Sequence, residues 1–212
     1  GYNQLTDDAS FHYKYDIDGN LIEKSNEEEK LLFKYDSFGR LQSIEQPKVM
    51  KKLLFYDYQD RLVSLVEKGY VDEDESYSKI NSDKKLLYFG DFEIGAVENA
   101  KLTELRIITP KDLGEIGATQ ALEINEKVYF VFNDYQGSIK SLISLEDKKT
   151  FSWDYSAYGE IEQQPESFYL PWKYLGKREF LPDYFFFGKR LYDSQTGRFI
   201  TKDPKGITEG CN

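Results

Sequence analysis

A short motif built on tyrosine and aspartate recurs along this chain and constrains its fold more than any other feature of the sequence. The motif reads Tyr-Asp-x-x-Gly-(Arg/Asn)-Leu and occupies residues 15–21, 35–41 and 56–62, with Asp60 replacing the glycine in the third copy. Degenerate copies occupy residues 134–137 and 155–161, and a last copy with one extra residue occupies 192–199. Because the residue types recur in register, we interpret the motif as the unit of a repeat protein.

Each repeat predicts a β-hairpin. Apolar and polar residues alternate before the aspartate, as in residues 32–35, and again after the glycine, as in residues 41–44, which is the period of a strand. The aspartate can accept hydrogen bonds from the backbone N–H groups that follow it, and the glycine supplies the positive φ of a short type I turn with a bulge. A unit of two strands cannot bury its apolar face alone, so successive hairpins must pair edge to edge. The predicted fold class is therefore all-β.

The residues assigned to the turns share a structural role. The tyrosine and the leucine flank each turn as cross-strand partners. Asp60 is compatible with the third turn because aspartate adopts the left-handed region more readily than most residues. The assigned residues are Tyr15, Asp16, Gly19, Leu21, Tyr35, Asp36, Gly39, Leu41, Tyr56, Asp57, Asp60, Leu62, Asp134, Gly137, Gly159, Tyr192, Asp193, Gly197 and Arg198.

Composition supports β structure and excludes several functional classes. Tyrosine (17) and phenylalanine (15) are abundant, and both suit a pleated, half-buried surface. The 28 Lys and Arg against 38 Asp and Glu give a net charge of −10, so the chain lacks the basic surface that nucleic acid requires and fits anionic membranes poorly. The longest apolar runs, such as residues 128–132, are far shorter than the about 20 residues of a membrane-spanning helix. A single histidine, His12, and a single cysteine, Cys211, exclude a His/Cys metal site and an internal disulfide, and no cofactor is expected.

The pattern loosens between the third and fourth repeats. The acidic run 72–75, within the polar stretch 67–85, is interpreted as a solvated hairpin tip, with a cation site or an acid–base pair as the alternative. Residues 110–117 are predicted to form a loop that is not a phosphate-binding loop, because the Lys-Ser/Thr ending and a following helix are missing. Strand-like segments resume at residues 86–89, 105–108 and 121–124.

The repeat resembles the tyrosine-aspartate (YD) repeat of the Rhs family, which teneurins and the C component of insecticidal Tc toxins share. Residues 184–206 are similar to the Rhs repeat-associated core, Gly-x-Arg-Tyr-Tyr-Asp-x-x-x-Gly-Arg-Phe followed by Asp-Pro-x-Gly, with Leu191 where the family has tyrosine. The segment 86–160 is similar to the stretch that precedes this core in bacterial Rhs proteins. On this resemblance we expect a YD-repeat hairpin array over residues 1–170 and a truncated core region over residues 171–212. Three further residues belong to the core motif: Asp203, Pro204 and Gly206.

The resemblance implies a function that residue spacing alone does not. In Rhs and Tc proteins, YD hairpins wind into a curved spiral sheet that closes as a hollow shell around a variable C-terminal toxin, often released by an aspartyl autoprotease. This implies that the chain is a structural, non-enzymatic shell segment of a bacterial polymorphic toxin that is secreted or delivered at the cell surface, although the segment opens with no signal peptide. It stops where the stretch leading to the cleavage motif should begin, so the catalytic aspartates and the toxin are expected to be absent. The expected partners are the rest of the shell or a C-terminal toxin, and unpaired edge strands are expected to drive self-association.

Two other functions stay open beside the structural one. An adhesive or glycan-binding module needs exposed aromatic rings. Trp153 and Trp172, with the many tyrosines, are the candidates, although packing between hairpins is favoured for them. A remnant of aspartyl self-processing would use Asp193 or Asp203. However, Asp193 fits the turn of its repeat, and Asp203 precedes a proline, which favours an extended backbone. His12 is expected on the polar face of a strand, and Cys211 has no base near it in the sequence. We rank the structural function first, binding second and enzymatic activity third.

Overall fold

Thirteen antiparallel strands form one long sheet, in which the order of the strands in space is their order in the sequence. The structure is a computed structural model that describes residues 4–73, 75–108 and 119–202. The strands are β1 (His12–Tyr15), β2 (Leu21–Ser25), β3 (Lys30–Tyr35), β4 (Leu41–Gln46), β5 (Met50–Tyr56), β6 (Leu62–Val71), β7 (Ser76–Phe89), β8 (Phe92–Glu98), β9 (Lys101–Ile108), β10 (Thr119–Ile124), β11 (Lys127–Asn133), β12 (Ile139–Ser144) and β13 (Thr150–Ser152). The predicted all-β fold of consecutive hairpins is confirmed.

The remaining described strands form two smaller sheets. A short hairpin pairs β14 (Asp154–Tyr155) with β15 (Ile161–Gln163). A four-stranded antiparallel sheet follows, made of β16 (Arg178–Leu181), β17 (Tyr184–Phe187), β18 (Arg190–Asp193) and β19 (Arg198–Phe199). In the described part of the chain the one helical element is a 3-10 turn, Tyr174–Gly176. The described residues thus include no helix that is long and apolar enough to cross a membrane.

The first three repeats fold with the same irregularity. In each, the strand register shifts by one position immediately before the tyrosine, and the tyrosine then lies opposite the leucine that follows the turn. The pairs are Tyr15 with Leu21, Tyr35 with Leu41 and Tyr56 with Leu62. A β-bulge of this kind adds one residue to a strand and increases the local twist.

Residues 153–200 cover one face of the long sheet and complete two hydrophobic cores. The first core joins the apolar faces of strands β1–β8, including Phe33 and Leu62, to Phe180, Tyr184 and other residues of the four-stranded sheet. The second core joins β10–β12 to Trp153, Leu170 and Trp172. Residues on either side of the expected boundary at residue 170 therefore pack together, while the division into two regions stays a prediction.

The first edge of the long sheet is partly covered, and the acidic run is exposed. The first edge strand, β1, is partly covered, because Thr6 accepts a backbone hydrogen bond from Tyr13 at 2.8 Å and Asp7 forms a β-bridge with His12. Strands β6 and β7 form the longest hairpin, and residues 72–75 lie at its tip, where the described side chains are exposed. The predicted loop 110–117 and the residues Asp203, Pro204, Gly206 and Cys211 lie outside the described residues.

Candidate functional site: the repeat turns and a buried ionic cluster

The aspartate of each repeat organises the turn through one carboxylate oxygen. Oδ1 of Asp36 accepts the backbone N–H groups of Phe38 and Arg40 at 2.9 and 3.0 Å. Asp57 and Asp134 bind the residues two and four positions further on in the same way, at 2.8–2.9 Å. In the degenerate repeat at 155–161 the hydroxyl of Ser156 replaces the carboxylate and accepts at 3.2 and 3.3 Å. The turn is thus specified by contacts within four residues of the aspartate.

The glycine closes the turn in the left-handed region. Its N–H donates to the carbonyl of the repeat aspartate, as from Gly39 to Asp36 at 3.0 Å, with φ of 76° at the glycine. Asp60 occupies the same position in the third repeat with φ of 61° and makes the same bond to Asp57 at 3.1 Å. At Gly159 the constraint is also steric, because a Cβ there would lie 2.4 Å from the ring of Tyr174.

The arginine or asparagine after the glycine binds the second carboxylate oxygen of the aspartate. Arg40 donates to Oδ2 of Asp36 at 2.7 Å, Arg61 donates to Asp57 at 2.8 Å, and an asparagine takes this position in the first repeat. Burial alone would raise the pKa of Asp36, but the backbone and guanidinium donors of Arg40 lower it overall. Asp36 and Asp57 are therefore held as anions paired with the arginines of their own turns.

A tyrosine hydroxyl ties four of the hairpins to the repeat before them. The hydroxyl donates to the backbone carbonyl of the residue that opens the second strand of the preceding repeat. The bonds run from Tyr35 to Leu21 (2.7 Å), from Tyr56 to Leu41 (2.8 Å), from Tyr88 to Leu62 (2.9 Å) and from Tyr155 to Ile139 (2.9 Å). The acceptor residues also fill the core, since all four are at most 3% exposed. Burial raises the pKa of these four phenols, so each stays a neutral donor well into the alkaline range.

Sequence reasoning missed one member of this series. Tyr88 makes the same bond as the repeat tyrosines, and Gly90 takes a positive φ of 60° in the turn that follows. Residues 86–89 are predicted only as a strand-like segment, and Gly90 follows Tyr88 by two residues, whereas the glycine of the motif follows its tyrosine by four. The spacing of the repeats therefore does not identify this turn.

The last repeat joins the C-terminal sheet to the first hairpin. Oδ1 of Asp193 accepts the backbone N–H of Gln195 at 3.0 Å, and Gly197 has a φ of 66°. Oδ2 of Asp193 forms an ion pair with Lys24 at 2.9 Å, and both side chains are at most 2% exposed. The carbonyl of Ile200 also accepts the N–H of Leu21 at 2.8 Å. Asp193 is therefore both a turn residue and the partner of a buried lysine. No local sequence pattern predicts that Lys24 takes part in this contact.

A buried ionic cluster anchors residues 169–178 to the long sheet. Glu104 is 1% exposed and binds both Arg178 and Lys84, and it accepts the hydroxyl of Tyr169 at 3.0 Å. Glu93 accepts Nε of the same Arg178 at 2.8 Å. Burial by itself would raise the pKa of Glu104, but the two cations lower it to about 2. Each carboxylate in the cluster already has a cationic partner, which suits structural anchoring.

Among the other candidates of the sequence, Trp172 belongs to this cluster, since its indole N–H donates to Glu93 at 3.2 Å. Trp153 and Trp172 are 1% and 0% exposed, so neither ring is available to stack on a sugar. His12 lies in β1 at the surface and binds the Asp7 carboxylate. A groove of about 430 Å³ lies between the first two repeat turns, but the carboxylates of Asp16 and Asp36 that line it are bound within their own turns. Within residues 4–73, 75–108 and 119–202 there is no group of three or more potential metal ligands.

Comparison with known proteins agrees with the geometry. Solved structures similar to this chain include TcdB2-TccC3 (TM-score 0.57, 15% identity), the same pair without its hypervariable C-terminal region (0.58, 15%) and TcdB2-TccC3-Cdc42 (0.55, 14%). Each match covers 94% of this chain and 12% of the other chain, so this chain spans about an eighth of their length. At these identities the likeness shows the fold alone. The family model of the Teneurin YD-shell matches residues 2–210, and the chain therefore belongs to the Teneurin YD-shell family.

Proposed function

We propose that this chain is a non-enzymatic segment of the wall of an Rhs-type shell that encloses a C-terminal toxin. The observation that carries the proposal is the tyrosine bond between successive repeats, which recurs at four hairpins in the same form. A fold built in this way extends by adding hairpins at its end. Such a fold forms a continuous sheet, as the wall of a hollow shell requires.

Two further features support a structural function over an enzymatic one. The aspartates of the repeats accept hydrogen bonds from backbone N–H groups of their own turns, and Asp193 also forms the buried ion pair with Lys24. The glycan-binding alternative loses two of its candidates, because Trp153 and Trp172 are buried, and rests on exposed tyrosines such as Tyr58 and Tyr135. By the same proposal the protein is secreted or delivered at the surface of a bacterial cell.

The proposal is tested on the longest natural protein that contains this sequence. An antibody against residues 119–202 identifies that protein in cells and in culture medium and reports its mass. We expect a hollow particle by negative-stain electron microscopy, with a C-terminal portion that resists trypsin until the wall is unfolded in urea. A C-terminal portion digested equally fast before and after unfolding contradicts the proposal.

Self-processing is tested on the chain itself. We expect the masses of the purified chain and of the Asp193→Asn variant to show no cleavage after prolonged incubation. A cleavage product that disappears in the variant would assign an aspartyl activity to this segment instead.

A further inference from the structure

Lys24 is a buried amine that lies against a buried carboxylate. Its Nζ is 2.9 Å from Oδ2 of Asp193, and the two side chains are 2% and 1% exposed. The amine is also enclosed by aromatic rings, since the ring centres of Phe11, Tyr13 and Tyr184 lie 4.6, 5.8 and 5.3 Å from Nζ. At this burial neither group receives the solvation that stabilises an ion in water. The two groups are therefore candidates for a reaction with each other.

This pair differs from the other deeply buried contacts between charges. In the described part of the chain, the ion pair of Arg178 and Glu104 is equally buried, but a guanidinium stays protonated and offers no nucleophilic nitrogen. Lys84 presents an amine to the same Glu104, yet the two cations together lower the pKa of this carboxyl to about 2. Glu104 is therefore held as an anion, which resists attack by an amine. At Asp193 the partner is a lysine that can both give up its proton and attack.

The turn of the last repeat prepares the carboxyl of Asp193 for attack. Oδ1 accepts the backbone N–H groups of Gln195 at 3.0 Å and of Thr196 at 3.4 Å, while Oδ2 faces Lys24. Backbone donors directed at one carboxyl oxygen stabilise the negative charge of a tetrahedral intermediate. The side-chain oxygen of Gln195 also accepts Nζ of Lys24 at 2.8 Å and orients the amine. One carboxyl oxygen is thus placed to hold charge and the other to leave.

A phenol beside the pair can carry a proton. The side chain of Tyr184 is 3% exposed. Burial raises the pKa of this phenol, and the charge and hydrogen bonding of the neighbouring Asp193 raise it further, to well above the usual 10.0. The Tyr184 hydroxyl is therefore a neutral proton donor next to the carboxyl. The hydroxyl of Tyr13 is already bound to Asp8, at 2.6 Å.

We propose that Lys24 and Asp193 join in an intramolecular isopeptide bond. The reaction begins when the proton between them moves from Nζ to Oδ2, which gives a neutral amine and a neutral acid in a site that disfavours ions. Nζ then attacks Cγ, and the N–H groups of Gln195 and Thr196 hold the negative charge on Oδ1. A second proton passes from Nζ to Oδ2 through the Tyr184 hydroxyl, and Oδ2 leaves as water. One C–N bond forms, one C–O bond breaks and one water is released, so the step needs no oxidant or cofactor.

The bond fastens the first hairpin to the C-terminal sheet. Lys24 lies in β2, and Asp193 is the last residue of β18. Because the two residues are 169 positions apart, the bond closes most of the chain into one loop. Closure of a long loop restricts the unfolded chain, as a disulfide does, but an amide bond is insensitive to reducing agents. Residues 153–200 then cannot separate from the first hairpin while this bond is intact.

Mass spectrometry of the denatured full chain detects the linkage. We expect the parent to be uncleaved and lighter than its sequence by one water. Trypsin should release residues 15–30, uncut after Lys24, joined to residues 191–198. The variant Lys24→Arg keeps a cation but has no amine, so it should show its full sequence mass. The matched control, Lys140→Arg, removes the amine of an ion pair with Asp154 that is 37% and 52% exposed, and it should lose one water as the parent does.

The rate of linkage tests the proton carrier. In chain freshly made by cell-free synthesis, the fraction that has lost water is followed with time. Tyr184→Phe removes only the hydroxyl and should link about a hundredfold more slowly than the parent, as for the loss of a general acid–base group. Tyr158→Phe makes the same change at a side chain that is 64% exposed and should link at the parent rate. Equal rates for these two variants contradict the proposed reaction.

The proposal is overturned if the folded parent keeps its full sequence mass after prolonged incubation. It is also overturned if Lys24→Arg loses one water like the parent, because the water then comes from another site, such as a succinimide at Asp18-Gly19. If Lys24→Arg does not fold, the tryptic fragment of the parent decides, since it identifies the two joined residues directly. A linked chain in a protein that protects no C-terminal portion keeps the bond and discards the wall function, and a protective particle of unlinked chains does the reverse.

Discussion

Removing the hydroxyl of Tyr35 should weaken the link between the first two hairpins without disturbing the ring. In Tyr35→Phe the carbonyl of Leu21 loses a donor at 2.7 Å in a partly buried position. A net intramolecular hydrogen bond of this kind contributes about 1 kcal/mol, and the loss approaches 2 kcal/mol if the carbonyl stays dry. For a chain of this size the Tm should fall by roughly 2–4 °C per kcal/mol.

The rule predicts that the effect repeats along the wall. The corresponding changes at Tyr56, Tyr88 and Tyr155 remove the same bond from three other hairpins. Since the sites are spread along the sheet, the losses should nearly add, and the quadruple variant should lose about 4 kcal/mol or more. That is a large share of the about 5–15 kcal/mol that holds a domain folded.

Urea denaturation, followed by circular dichroism, measures these losses. The matched control is Tyr58→Phe, which makes the same chemical change at a side chain that is 91% exposed and should cost less than about 0.5 kcal/mol. The reasoning is refuted if Tyr35→Phe and Tyr58→Phe lower the free energy of unfolding by the same amount.

Alkaline pH tests the same four hydroxyls by linkage. Burial raises the folded pKa of each phenol above the ordinary 10.0, so their contribution to stability is complete below pH 10 and is lost as the pH rises through the folded pKa. The parent should lose stability steeply above pH 10, and the quadruple phenylalanine variant should lose less. Equal slopes for the two proteins would count against burial of these groups.

Three other perturbations test the remaining contacts. Asp193→Asn leaves Lys24 without its carboxylate partner at a position 2% exposed, and should lower the free energy of unfolding by about 3 kcal/mol; an unchanged urea midpoint would contradict the buried ion pair. Gly159→Ala places a Cβ 2.4 Å from an aromatic ring at a positive φ of 95°. It should lower the free energy of unfolding several times more than Gly39→Ala, which has φ of 76° and open space and should cost about 1 kcal/mol. Equal Tm losses for the two variants would refute the close packing. Glu104 has a pKa of about 2 because its two cationic partners overcome the effect of burial, so its contribution is present above pH 4.5 and is lost as the pH falls toward 2; acid titration should give Glu104→Gln a flatter acid limb, and parallel curves would refute this.

The repeat turns could be predicted from sequence because their contacts are local. The aspartate binds N–H groups two and four residues away, and the glycine makes its bond three residues away, so residue order alone specifies the conformation. The alternation of apolar and polar residues likewise specifies which side chains face the core, as Phe33 and Leu41 do. The same reasoning missed Tyr88, whose turn departs from the motif although its hydroxyl makes the same bond as the repeat tyrosines.

Contacts between distant parts of the chain depend on its tertiary fold. Lys24 and Asp193 are 169 residues apart, and Arg178 and Glu104 are 74 apart, so no period or motif brings them together. Their pairing depends on residues 153–200 folding back over one face of the sheet, which the sequence presents only as more strands. The hairpin and its repetition follow from local residue order, because those interactions are made within a few residues of one another. The covering of the sheet and the buried charges were decided by the packing of the whole chain, since burial is a property of surroundings that no single segment contains.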